Sequence, residues 1–289
     1  MSLELCILAS GSLGNCSVLR TPAGAFMIDA GLGPRTCAKR LNGTGVRVAD
    51  VRAICLTHLD SDHFRPTWLA TVVAHEISIF CHESRRDDLV RSIARFTHDG
   101  QLLRQFKGRI ECFNGRPFAP LAGLSIRPIA LSHDQAGSHG FVIDGHDRRI
   151  GYATDLGHVP RALLDQFIDL DVLALESNYD PVMELNSSRP WFLKNRIMGG
   201  KGHLSNQQAL DAIRAILDRC EQQSVRLPEH IVLLHRSREC NCPKLLHKLF
   251  AQDKRIAPRL VLADQFDRSE WIRPDRTRPR AGEQLTLAW

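Results

Sequence analysis

Apolar residues along the chain gather into short runs bounded by Gly, Pro, Asn and Asp, with amphipathic stretches between them. The short runs read as strands and the amphipathic stretches as helices. Residues 3–9 form a first strand, Ser10-Gly11-Ser12-Leu13-Gly14-Asn15 a tight turn, and residues 17–20 a second strand. Thr21-Pro22-Ala23-Gly24 then turns the chain into the strand Ala25-Phe26-Met27-Ile28-Asp29. A helix over residues 34–41, a strand over 51–57, a helix opening at Pro66, a strand over 77–81 and a helix over 84–96 continue a β-α rhythm. The rhythm restarts at Leu124, where residues 124–129 alternate like a half-exposed strand and end at Leu131-Ser132-His133-Asp134. Further strands follow over 140–143, 149–153, 171–176 and 231–234, with helices over 207–220 and 243–250. Two strand-rich halves with helices between them predict two sheets packed together and flanked by helices.

Chemistry-bearing residues stand where these strands stop. Thr57-His58-Leu59-Asp60-Ser61-Asp62-His63 places four ligand-type side chains directly after the apolar run Ala53-Ile54-Cys55-Leu56. Two-residue alternation turns His58 and Asp60 to one side, while Asp62 and His63 continue around the bend towards a second point, an arrangement suited to two adjacent cations. Imidazole and carboxylate together favour zinc, manganese or iron. His133, Asp155, Glu176 with Asn178, and His235 each close another predicted strand. Ligand sites in open α/β architectures gather at strand carboxyl ends, so the shared placement argues for one assembled site. Asp29, before Ala30-Gly31, either orients a ligand or caps a turn. His203 lies on a Gly-rich turn leading into a helix, where it is either a reacting group or the neighbour of an N-cap at Ser205 or Asn206. His75, His82 and His98 have no ligand-type neighbours and read as surface or turn residues.

Composition narrows the class. With 43% hydrophobic and 24% charged residues in 289, the chain can bury a large core and is not generally disordered. The expected organisation is one main domain over residues 1–270 and a flexible or peripheral tail over 271–289, because residues 273–282 have the Pro/Arg/Gly composition of a linker. The N-terminus lacks a secretory pattern and no 18-residue apolar run occurs, which predicts a cytoplasmic protein without a membrane span. Nine irregularly spaced cysteines fit reduced thiols, and Cys240-Asn241-Cys242 has no second pair to complete a four-ligand site. A net charge of +6 favours a polyanionic partner, with Lys194, Arg196 and Lys201 placed either to hold flanking phosphates or to form a solvated loop.

The order and context of these residues resemble the metallo-β-lactamase superfamily, with its HxHxDH motif followed by later His, Asp and His ligands. More narrowly, Leu8-Ala9-Ser10-Gly11-Ser12-x-Gly14-Asn15-Cys16, Ile28-Asp29-Ala30-Gly31-Leu32, Leu175-Glu176-Ser177-Asn178-Tyr179-Asp180, Gly202-His203-Leu204-Ser205-Asn206 and Leu234-His235-Arg236-Ser237-Arg238-Glu239-Cys240-Asn241 are similar to the YycJ (WalJ)-like branch. That branch contains DNA exonucleases acting in the 5′-to-3′ direction and is related to ribonuclease Z. The resemblance implies an α/β fold of the αββα sandwich type, with two mixed sheets flanked by helices. It implies two divalent ions, zinc, manganese or iron, with His58, Asp60 and His133 holding one, Asp62, His63 and His235 the other, and Asp155 bridging them. It further implies His203 beside the scissile phosphate, Asp62 orienting a metal-bridging hydroxide, and Asp29 and Glu176 behind the ligands. Ser12, Asn15, Asn178 and Ser205, from the matching blocks, and Lys201, from the basic loop beside them, are the expected substrate contacts.

The expected activity is phosphodiester hydrolysis, most specifically DNA exonuclease action. The rivals are hydrolysis of a small ester, thioester, lactone or cyclic phosphodiester, and a non-catalytic metal-binding scaffold. One departure stands out: Asp60 replaces the usual second His of the motif, which hardens the site towards manganese or iron. At the other end, Gln284-Leu285-Thr286-Leu287-Ala288-Trp289 resembles the short peptide by which bacterial replication and repair proteins bind the sliding clamp, except that Ala288 displaces the aromatic by one position. The alternative is packing of Leu285, Leu287 and Trp289 on the body.

Overall fold

The computed structural model describes residues 3–274. The first half supplies one six-stranded sheet in chain order: β1 (Glu4–Ala9), β2 (Cys16–Thr21), β3 (Gly24–Ile28), β4 (Val51–Cys55), β5 (Ser78–His82) and β6 (Ile110–Phe113). Pairing is antiparallel from β1 to β3 and parallel from β3 to β6. The parallel connections carry the helices α1 (Pro34–Leu41), α2 (Leu69–Ala74), α3 (Arg86–Phe96) and α4 (Gly100–Lys107), as parallel crossovers require. The second half supplies β7 (Leu124–Leu131), β8 (Ser138–Gly145), β9 (Arg148–Ala153), β10 (Val172–Glu176), β11 (His230–Leu234) and β12 (Leu260–Leu262), which pair in that order. Its helices are α5 (Arg161–Gln166), α6 (Pro181–Asn186), α7 (Trp191–Met198), α8 (Asn206–Gln222) and α9 (Pro243–Phe250).

Alternation along the strands decides the layers. In β10, Val172 and Ala174 join Leu5, Ile7, Phe26, Phe141 and Tyr152 in the apolar layer between the sheets. Leu173 and Leu175 point the other way, into a second core with Leu210, Ile213 and Leu217 of α8. The first sheet does the same, with Val18, Met27 and Ile54 packing on Trp68, Leu89 and Phe106 from its own helices. Both sheets are therefore buried on both faces, and the molecule is the expected αββα sandwich of two mixed sheets flanked by helices.

Several elements depart from the sequence reading. The helix opening at Pro66 is a 3-10 turn, Pro66–Trp68, running into α2, and the helix expected over 84–96 starts at Arg86 after a second such turn. Helices α4 to α7 and strands β6 and β12 carried too short or too mixed an apolar pattern to be read. The body also extends past residue 270. Ile272 exchanges backbone hydrogen bonds with Leu5 (2.7 and 3.2 Å), and Trp271 donates its indole N–H to the Thr44 carbonyl at 3.0 Å beneath the Arg20 guanidinium. Residues 271 and 272 thus belong to the body, whereas the clamp-like Gln284–Trp289 segment lies outside the described residues. All nine cysteines are free. No helix among the described residues is long and apolar enough to cross a membrane.

Candidate metal centre

The carboxyl ends of β3, β4, β7, β9, β10 and β11 open on one edge of the sandwich, and the ligand-type residues converge there. His58, Asp60 and His133 form one close group, and Asp62, His63 and His235 another. Asp155 lies between them, its Oδ2 3.0 Å from His63 Nε2 and its Oδ1 3.6 and 3.9 Å from the Nε2 atoms of His235 and His133.

What aims the imidazoles is a set of partners on their far sides. His63 Nδ1 donates to Asp29 Oδ2 at 2.7 Å, and His133 Nδ1 donates to the Gly202 carbonyl at 2.9 Å. His235 Nδ1 faces Glu176 Oε1 at 3.2 Å, and His58 Nδ1 lies 3.0 Å from the Thr57 hydroxyl. That hydroxyl and the Thr57 N–H both donate to Asp29, at 2.9 and 2.8 Å. Each ring is thereby held at Nδ1 with Nε2 towards the centre, the orientation a metal-ligating imidazole needs, and Asn178 Nδ2 also lies 2.9 Å from His235 Nδ1. His58 Nε2 is buried and has no hydrogen-bond partner among the described residues. A buried polar atom without a partner is costly unless something coordinates it.

Electrostatics point the same way. Burial first, then neighbouring His63, holds His58 well below the ordinary imidazole pKa, leaving a neutral ring with a free lone pair. Burial opposes charge on His235 and His63 as well, but Asp155 and the other carboxylates beside them outweigh it, raising His63 and bringing His235 to about 10. Asp155 sits well below the usual carboxylate range: burial works against its charge, and His235 and His63 override it. The buried acids Asp29, Asp155 and Glu176 thus demand compensating positive charge, which divalent cations supply with the imidazoles neutral. The residues fit two such ions. A further close group, Asp155, Glu176, His203 and His235, is a hydrogen-bond network, since Glu176 Oε1 already meets His203 Nδ1 at 2.8 Å as well as His235 Nδ1.

Three of the site's side chains come from strained backbone. Asp29, Asp155 and His235 hold left-handed φ values of 61°, 53° and 53°, each an arrangement costing a non-glycine residue about 1–3 kcal/mol. The surroundings hold them there: Ser138 Oγ donates to the Asp155 carbonyl at 2.6 Å, and the His235 N–H donates to Ser10 Oγ at 2.7 Å. Gly31 admits no side chain, because a Cβ would lie 1.7 Å from the Asp62 carbonyl oxygen.

A cavity of about 620 Å³ stands over the cluster, with Ser12, Asn178, His203 and Arg189 on its wall. Two expected substrate contacts are engaged within the fold. Asn15 is buried, accepting the Gly11 N–H at 2.8 Å and setting its amide against His63 Nε2, so it braces the motif loop. Ser205 is the N-cap of α8, its Oγ taken by the Gln208 N–H. Asn178 faces the cavity but donates to the His235 carbonyl at 2.7 Å. Lys194 Nζ donates to the Leu185 and Ser187 carbonyls, Arg196 pairs with Asp134, and Lys201 lines an adjoining groove. The sequence reading missed Thr57, whose hydroxyl joins Asp29 to His58, and Arg189, which pairs with Glu184 and Glu239 at 2.9 Å each. Only the placement of Thr57, between strand and first His, hinted at its part.

The sequence family described as the Beta-lactamase superfamily domain matches residues 25–231. The chain belongs to that superfamily. Among its relatives, a Bacillus anthracis protein named exodeoxyribonuclease YycJ is 24% identical over 252 residues, 87% of this chain and 89% of that protein. The metallo-β-lactamase fold protein YhfI from Bacillus subtilis superposes with a TM-score of 0.64 at 11% identity, covering 93% of this chain and all of that one (100%). Human tRNase Z, short form, superposes at 0.58 with 18% identity, over 92% and 98% of the two chains. The fold is that of the metallo-β-lactamases, and the chain is a hydrolase of that superfamily with nuclease relatives. A scaffold without catalysis no longer fits.

Proposed function

We propose that this hydrolase is a two-metal nucleic-acid phosphodiesterase, most specifically a DNA exonuclease working from the 5′ end. The observation that carries the reading is the common orientation of four imidazoles, each held at Nδ1 with Nε2 turned to the carboxylates, together with the partnerless His58 Nε2. His58, Asp60 and His133 would hold one ion, Asp62, His63 and His235 the other, with Asp155 reaching both. When bound, such a pair makes water acidic enough to ionise near neutrality and offsets charge on the phosphate oxygens. Asp62, which lines the cavity and lies 3.4 Å from His235, orients the attacking oxygen. His203, held at Nδ1 by Glu176, lines the cavity, where in its doubly protonated form it donates the Nε2 proton to the departing oxygen and is left as the neutral Nδ1–H tautomer. The DNA assignment is supported by the exodeoxyribonuclease relative, and the cationic balance of +6 suits a polyanion.

The test is incubation with Mn²⁺ or Zn²⁺ and DNA or RNA labelled at either end, beside a thioester, a lactone and a cyclic phosphodiester. Mononucleotide release from the 5′ end of DNA is the expected result. Turnover of the small substrates alone would replace this reading with that of a small-molecule hydrolase.

A further inference from the structure

Beside the metal cavity runs a second depression, a groove of about 700 Å³ lined by Asp134, Gln135, Ala136, Asn195, Arg196, Gly199 and Lys201. The two share Asp134 and Arg196, so they form one continuous track leading from the metal centre along α7. At the start of that helix stand Trp191 and Phe192, exposed at 66% and 74%. Large aromatics are seldom left so open without a partner. Helical spacing places them: Trp191 lies one turn before Asn195 and Phe192 one turn before Arg196, so the pair extends the helix face that lines the groove. Pro190 and Leu193, flanking them in sequence, line the metal cavity itself. The helix is firmly set, with Ile197, Leu193 and Met198 packed on Tyr179, Met183 and Cys240, and with Lys194 clipping it to the end of α6.

Planar hydrophobic faces interleaved with the exposed cations Arg196 and Lys201 suit one kind of occupant. We propose that this track takes an unpaired nucleic-acid strand, with Trp191 and Phe192 stacking on its bases while Arg196 and Lys201 follow its phosphates. Every base offers a π face and every residue of the strand a charge, so the match needs no particular sequence. A duplex keeps its bases covered and would gain nothing from the two rings. The inference rests on the phosphodiesterase reading above and adds the form of the substrate: strand ends must be unpaired to enter.

Binding can be read without turnover, by fluorescence anisotropy of a labelled single strand and of a blunt hairpin in EDTA. The full-length protein should prefer the single strand. Trp191→Ala and Phe192→Ala should each weaken that binding roughly fivefold or more, as loss of one stacking contact does. Trp191→Phe should restore most of it, and both alanine variants should melt at the wild-type temperature because the side chains are exposed. Unchanged single-strand affinity in the double alanine variant overturns the proposal. So does a dimer that dissociates in that variant while DNA affinity holds, which would make the face a contact between copies. If the wild-type protein binds neither DNA while hydrolysing a small ester, the phosphodiesterase reading falls, and the track with it.

Discussion

At the scale of single residues, Asp60 is the most informative departure. It closes one ligand group with His58 and His133, its Oδ2 3.8 and 3.9 Å from their Nε2 atoms, and it is half exposed at the cavity. A carboxylate in place of an imidazole adds charge and hardness, so Asp60→His should move metal preference from manganese or iron towards zinc. Metal content after competitive loading with Mn²⁺, Fe²⁺ and Zn²⁺ checks this; an unchanged distribution would remove Asp60 from the ligand set. His203 poses the complementary case. Its ring stacks on His235 with centroids 5.1 Å apart and is steered by Glu176, yet no metal group other than the Glu176 network includes it. His203→Ala should therefore keep both metals and slow the chemical step by about 10²-fold or more, as loss of a placed proton donor does. Loss of metal in that variant would move His203 into the ligand set.

At the scale of elements, the motif loop is positioned by its neighbours more than by its own composition. The Asn15 N–H donates to the Asp62 carbonyl at 2.6 Å and the Ala30 N–H to the His63 carbonyl at 2.7 Å, so the turns after β1 and β3 grip the loop after β4 from both sides. Gly31 sits inside that grip. Gly31→Ala would drive a methyl into the Asp62 backbone, and the loop must shift to admit it. We expect metal affinity to fall by about 10-fold or more, in the range seen when groups supporting ligands are disturbed, while circular dichroism stays native. Wild-type metal affinity in Gly31→Ala would show that the loop tolerates displacement. The turn before α8 is built the same way: Gly202 fits under the Arg196 and Ile197 carbonyls, where a Cβ would come within 2.4 Å, and its own carbonyl orients His133.

At the scale of the molecule, the last described residues close the first sheet. The Pro- and Arg-rich composition of residues 273–282 places Trp271 and Ile272 in an expected tail, yet Ile272 is 5% exposed and pairs with β1. A chain ending at residue 270 should be roughly 2–5 kcal/mol less stable than one ending at Pro274, the usual cost of removing large buried side chains. Equal midpoints for the two in urea would contradict this. Local pattern along the chain was enough to determine the inventory of ligand-type residues and its order. Strand-length apolar runs ended in His58, Asp60, Asp62, His63, His133, Asp155, Glu176 and His235, and periodicity alone places such residues at strand ends. Which atoms meet was decided by tertiary packing. That His58 Nε2 is left without a hydrogen-bond partner, that Asp29 serves Thr57 and His63 together, and that Asn15 turns to His63 depend on contacts between segments far apart in the chain. Helices α6 and α7 escaped the sequence reading for a related reason. They are short, and the exposed Trp191 and Phe192 of α7 blur the inward face that Leu193 and Ile197 make, so only the tertiary packing shows that these helices stand beside the site.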